Sequence, residues 1–333
     1  MLKSERNLPK LDLNITNKCN LRCKHCAFDS GIVKLDEMTL EQLTALLKQT
    51  KQLGGRKIDV TGGEPTTRKD YVEIIKIAKG LGYKVELVTN SLLLNREKLI
   101  MLKELGLDGV AISLDGSTWE THHNIRNISK EQYQKVRENI QTAVKLGFYT
   151  KINSTLFESN LHELTDIIKW GAEIGAKEVG LYYFTPIGRG NRNNVRSVEP
   201  LKWLNFVRTE LVKVKDLLEV SLETPLLEKE LYTPEMGCIW NVDAYHLQVL
   251  PDGNVYPCAI MASYMKSVGN LHQNTVAEIW NDKNIWVRYH GVLKDLFNQH
   301  GGCVNFPNFD LRKYPGHTFV CPLRKFLVED LII

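Results

Sequence analysis

Five times in the first half of the chain, an amphipathic segment ends in Leu-Gly or Ile-Gly and a short apolar run follows. The glycines are Gly54, Gly82, Gly106, Gly147 and Gly175. The runs after them predict strands at 57–61, 84–90, 109–115, 151–156 and 178–184, and KLDLNIT (10–16) adds a sixth ahead of them. A helix that stops on a residue with positive φ favours glycine, which has no Cβ to clash there. Thr39 with Gln42 reads as a capping box at the start of one helix. Alternating helix and strand predicts βα units and a parallel sheet. Six such units suit a doubly wound sheet or a partial barrel, and periodicity does not choose between them.

The predicted strands end in polar residues: Asn14 and Thr16, Thr61, Thr89-Asn90-Ser91, Ser113 and Asp115, Asn153-Ser154-Thr155. In parallel α/β folds the carboxyl edge of the sheet carries the site. Cys19, Cys23 and Cys26 follow the first strand, so they fall at that edge. After about residue 190 the pattern breaks. GRGNRNN (188–194) predicts a loop, residues 201–220 predict a helix bridging two domains, and QVLPDGNVYPC (248–258) predicts a hairpin turning at Pro251-Asp252-Gly253-Asn254. The expected division is 1–195, a helical linker 196–236 and a small unit 237–333.

Composition excludes several classes. The 333 residues carry a net charge of +4 with no long basic run, which argues against a nucleic-acid partner. No apolar run approaches the roughly 18 residues of a membrane span, and the N-terminus MLKSERNLPK lacks a signal-peptide core. The expected location is the reducing cytoplasm, where seven cysteines point to metal or catalysis rather than disulfides.

Three thiolates in eight residues are one short of a closed zinc site. His25 is next to Cys26 in the chain and reaches the same ion poorly as a fourth ligand. A cubane iron–sulfur cluster held by three thiolates keeps one iron open to a substrate. A non-catalytic zinc protein is the rival reading.

Cys19-x3-Cys23-x2-Cys26 resembles the defining motif of the radical S-adenosylmethionine (radical SAM) superfamily, and Thr61-Gly62-Gly63-Glu64-Pro65 resembles its GGEP motif. Ser113-Leu114-Asp115-Gly116, followed by His122 and Arg126, is similar to its fourth-strand segment. The resemblance implies a partial (β/α)6 TIM-like barrel with a small C-terminal α+β auxiliary iron–sulfur domain. It implies that Cys19, Cys23 and Cys26 hold a [4Fe–4S] cluster whose open iron binds SAM. Gly62, Gly63, Glu64, Ser113, Arg126 and Asn153 are the implied SAM contacts, with Glu64 facing the ammonium and Arg126 the carboxylate. It further implies reductive cleavage of SAM to a 5′-deoxyadenosyl radical, driven by a flavodoxin or ferredoxin.

Cys238, Cys258, Cys303 and Cys321 remain. Cys238-x14-Gly253-x4-Cys258 and residues 268–280 resemble the opening of the SPASM auxiliary-cluster domain, here in a shortened form similar to the variant called twitch. Four thiolates imply a second [4Fe–4S] cluster acting as an electron relay. Two substrate classes stay open: a small polar metabolite such as a sugar, aminocyclitol or cofactor precursor, and a ribosomal peptide that is cross-linked or epimerised. The short stretch before Cys19 favours the small metabolite as the expectation. No general base is identified, although Tyr182, Tyr183 and Asp243 are placed to face the cavity.

Overall fold

The computed structural model describes residues 8–31, 36–231, 246–258, 262, 266–285, 287, 291, 313–320 and 325–331 of the chain. Strand and helix alternate from the start: β1 (Lys10–Asn14), α1 (Leu40–Gln52), β2 (Lys57–Thr61), α2 (Tyr71–Gly80), β3 (Lys84–Thr89), α3 (Arg96–Glu104) and β4 (Gly109–Ser113). The series continues with α4 (Trp119–Arg126), α5 (Lys130–Lys145), β5 (Tyr149–Leu156), α6 (Leu164–Ile174) and β6 (Glu178–Tyr183). All five glycines predicted to end helices have φ between +73° and +91°. The Thr39–Gln42 capping box is formed at the start of α1.

Strands β1 to β6 lie side by side in chain order and every pair is parallel. The sheet then goes further than the sequence predicted. The segment 201–220 is a helix only over α8 (Pro200–Thr209), followed by a single 3-10 turn at Leu211–Lys213. Glu219–Glu223 is strand β7, parallel to β6. The correction has a plain cause: residues 219–223 alternate polar and apolar with a period of two, burying Val220 and Leu222. The predicted loop 188–194 likewise contains a short helix, α7 (Gly188–Arg192).

Strands β8 (Leu226–Glu228), β9 (His246–Val249), β10 (Asn254–Tyr256) and β11 (Gly269–Asn270) come next, with helix α9 (Val276–Asn281). β12 (His317–Phe319) and β13 (Lys325–Leu327) complete the described elements. The predicted hairpin is formed by β9 and β10, with Val255 opposite Val249. β9 also pairs in parallel with the free side of β1, so the sheet runs β11-β10-β9-β1 through β7-β13. Cys238, Asp243, Cys303 and Cys321 lie outside the described residues. Among the described residues no helix is long and apolar enough to cross a membrane.

The two faces of the sheet differ sharply. Leu11, Leu13, Ile58, Val60, Val85, Leu87, Val110 and Ile112 are fully buried beneath the helices. The alternate positions line the barrel interior with polar groups. Lys10 bridges Asp12 and Asp59, both at 2.8 Å, and although burial opposes its charge, the two carboxylates hold its pKa up. Lys151, almost wholly buried, is paired with Glu178 and donates to Ser221, and its ammonium lies 5.5 Å from the centre of the Tyr182 ring. Losing one member of a buried pair strands the other charge. Lys151→Ala should therefore lower stability by about 3–5 kcal/mol, read as the midpoint of urea unfolding. Lys151→Met/Glu178→Leu should recover most of that loss, and an unchanged midpoint in Lys151→Ala would show that the pair does not hold β5 to β6.

Candidate active site

The site forms where β1 and β2 leave the sheet. The chain turns over the carboxyl edge after Asn14, and Glu37 pins the turn by accepting from the Thr16 hydroxyl and the Asn17 N–H, each at 2.8 Å. Cys19, Cys23 and Cys26 then line one cavity of about 340 Å³, together with Gly62, Gly63 and Glu64 from the end of β2. The Leu21 and Ser30 N–H groups point at the sulfurs of Cys19 and Cys26, both at 3.4 Å. Burial pushes the Cys19 thiol up to about 11 and raises Cys23 as well. Such thiols ionise readily only against a bound cationic centre. Three thiols lining one cavity supply the donor set of an iron–sulfur cluster, so the residues present fit that group.

The glycine pair does something the sequence did not suggest. Gly63 N–H donates to Thr16 O at 2.7 Å and Glu64 N–H to Lys18 O at 2.8 Å. A Cβ on Gly62 would lie 2.5 Å from Thr16 O, and one on Gly63 2.3 Å from Lys18 O. The glycines are thus required by contact between two backbones, the end of β2 and the cysteine loop, and not only by approach of a ligand.

Glu64 is fully buried. Its Oε1 accepts from the Thr66 N–H at 3.2 Å, the Thr66 hydroxyl at 2.5 Å and the Thr89 hydroxyl at 2.7 Å. Oε2 accepts from the Asn90 N–H at 2.7 Å. Burial raises its pKa against these donors. This carboxylate ties the ends of β2 and β3 together and still keeps acceptor capacity on Oε2.

Arg126 reaches the cavity from the end of α4, with Nε 2.5 Å from Asp115 Oδ2. Asp115 is buried and also accepts from the Thr155 N–H at 2.8 Å, while its own N–H donates to His122 Nδ1 at 3.0 Å. Burial lowers His122 to about 3, so it is a neutral acceptor. Ser113 lines the cavity. Asn153 sits beside it in register, but its Oδ1 accepts from the Tyr182 hydroxyl at 3.2 Å, and it is Tyr182 that lines the cavity. Tyr183 lines it too. His25, half-buried, meets Phe157 edge-on at 5.2 Å, and desolvation of its ring lowers its pKa to about 4.

Sequence reasoning missed Arg189, on the segment predicted to be a loop. Its N–H donates to Cys26 O at 2.9 Å, its guanidinium donates to Ser30 O at 2.9 Å, and Nε lies 3.4 Å from Asp29 Oδ1. Gly188 lies so close to the cysteine loop that a Cβ there would meet Ala27 O at 2.1 Å. Gly190 is packed against Phe184. A basic residue between two glycines was the available signal.

A family model described as "Radical SAM superfamily" matches residues 13–171, which contain the three cysteines and the glycine pair. The chain belongs to the radical SAM superfamily. A second model, an iron–sulfur cluster-binding domain named SPASM, matches residues 238–301. This radical SAM protein is thus an enzyme whose cofactors are SAM and iron–sulfur clusters. The chain is 26% identical to an AdoMet-dependent heme synthase of Methanosarcina barkeri, over 89% of this chain and 88% of the relative. It is 27% identical to a PqqA peptide cyclase of Bradyrhizobium diazoefficiens, over 84% of this chain and 74% of the relative. Streptococcus suis SuiB bound to S-adenosylmethionine shares the fold with a TM-score of 0.71 at 14% identity, covering 86% of this chain and 68% of SuiB.

These relatives correct the expected substrate. The small polar metabolite is overturned by the similarity to several PqqA peptide cyclases. The expectation failed because it rested on chain length ahead of Cys19, which does not limit what the cavity admits.

The α7 clamp gives a direct test. Gly188→Ala should displace the cysteine loop, and the purified protein should carry at most about half the wild-type iron with an unchanged circular dichroism spectrum. Full iron content in that variant would mean that the loop does not depend on α7.

Proposed function

We propose that this radical SAM enzyme modifies a ribosomally made peptide, by cross-linking or epimerisation. The observation that carries the reading is the similarity to PqqA peptide cyclases across 84% of the chain. The cavity supports it: Tyr182, Thr185 and Glu223 line its wall with polar side chains suited to a polar substrate group.

In this reading Cys19, Cys23 and Cys26 hold the SAM-binding [4Fe–4S] cluster. When bound, that cluster would supply the one electron that reductive cleavage of SAM consumes. The chain's own residues bind and orient. Glu64 would meet the SAM ammonium through Oε2, and Arg126, fixed through Nε by Asp115, would hold the SAM carboxylate. Gly62, Gly63 and Ser113 form the wall against SAM, and Asn153 acts through Tyr182. Cys238, Cys258, Cys303 and Cys321 hold a second [4Fe–4S] cluster. Cys258 is buried where β10 ends. The division near residues 195 and 236, the cytoplasmic location and a flavodoxin or ferredoxin as reductant belong to the same proposal.

The peptide reading is tested by making each short peptide that the DNA flanking the gene encodes and incubating it with reconstituted enzyme, SAM and dithionite. Cross-linking should remove two hydrogens from its mass, or epimerisation in deuterium oxide should add one deuterium, in step with 5′-deoxyadenosine. SAM cleavage never matched by either change overturns the peptide substrate and leaves the family untouched.

The cluster count is tested separately. Reconstituted protein should hold about eight irons, two clusters of four. Cys19→Ala/Cys23→Ala/Cys26→Ala should make no 5′-deoxyadenosine and keep about half the iron. Retained cleavage would overturn the first assignment, and wild-type iron near four with zinc near one would overturn the second.

A further inference from the structure

The cysteine loop lines the cavity on one side and meets solvent on the other, and the solvent side is cationic. Arg22 and Lys24, which flank Cys23, are exposed. Contacts join them into one face with α7 and the residues after it. Arg22 donates to Ser30 O and Gly31 O. Asp29, beside Ser30, pairs with Arg189 and Arg192. Asn193 then donates to Lys24 O at 3.0 Å. Lys24 and exposed Arg196 rim one surface depression whose base is Ile125 and Phe157. Among the described residues, the acids that touch this face are already engaged: Asp29 by two arginines and Glu158 by Lys202. The free charge is therefore positive, and it sits within two residues of a cysteine at Arg22 and Lys24.

We propose that this face, centred on Arg22, Lys24, Arg192 and Arg196, docks an acidic one-electron carrier protein. The inference rests on the radical SAM assignment and not on the peptide reading. Each SAM cleavage consumes one electron; the carrier is oxidised by one electron and the cluster held by Cys19, Cys23 and Cys26 is reduced by one. A donor seated here lies one loop away from the thiols without occupying the cavity. The unneutralised cations attract an acidic surface, raising the association rate and making it salt-dependent. The apolar base of the depression offers a dry centre within a charged rim.

The test uses a purified acidic flavodoxin and the intact, iron-loaded enzyme. Oxidised flavodoxin should bind wild type in a titration, and added salt should weaken that binding. In Lys24→Glu/Arg196→Glu the Kd should rise at least ~10-fold at low salt, with iron content unchanged. 5′-Deoxyadenosine formation driven by reduced flavodoxin should slow in parallel, while the rate with dithionite stays at the wild-type value. An unchanged Kd, or a dithionite rate that falls along with the flavodoxin rate, overturns the docking face. Lys24→Gln/Arg196→Gln supplies the same readouts if charge reversal costs iron.

Discussion

The site depends on two backbone hydrogen bonds, from Gly63 to Thr16 and from Glu64 to Lys18. They bring the exit of β2 against the loop that carries the cysteines, with no side chain between. Neither glycine tolerates a Cβ in that contact. Everything at the site is referred to this seam. It sets where the first cysteine leaves the sheet, and it turns Glu64 inward, where Thr66, Thr89 and Asn90 hold it and fix the end of β3. Burial opposes the charge of this carboxylate, and the four hydrogen bonds that it accepts offset part of that cost. The rigidity of the seam follows from those bonds.

A second brace comes from beyond β6. The end of β6 leads into α7, whose Gly188 meets Ala27 and whose Arg189 holds Cys26 and Ser30. The cysteine loop is thus gripped from β2 on one side and from beyond β6 on the other. A loop that supplies metal ligands must hold its geometry before the metal arrives if binding is not to cost additional ordering.

Strand positions were legible because each depends on local features: a glycine at positive φ and a period-two apolar pattern. Residues 57–61 were predicted to the residue, and the other five strands to within two residues. The three cysteines and the glycine pair were legible because their spacing carries the chemistry. β7 carried a local period-two pattern at 219–223, but its start was absorbed into a longer predicted helix. What truly escaped was non-local: β9 joins β1 across more than 230 residues of chain. No local pattern announces a partner strand that far away. Arg189 was missed for the same reason: its role lies in contacts with Cys26, Ser30 and Asp29, which the sequence places some 160 residues earlier. The substrate was misjudged because chain length was used where only the cavity could speak.

Charge around the site is closely balanced. Arg126 is held by Asp115 and Arg189 by Asp29, so neither guanidinium is left as a full countercharge for the thiols. Burial keeps His25 and His122 neutral. The raised thiols of Cys19 and Cys23 show the result: the protein does not hold thiolates there unaided. Ligand ionisation and metal capture are then one event, and metal binding drives the proton release. A pocket with strong fixed positive charge would have stabilised thiolates without metal and exposed them to oxidation. The cations that are not neutralised lie instead on the solvent side of the same loop, at Arg22, Lys24 and Arg196.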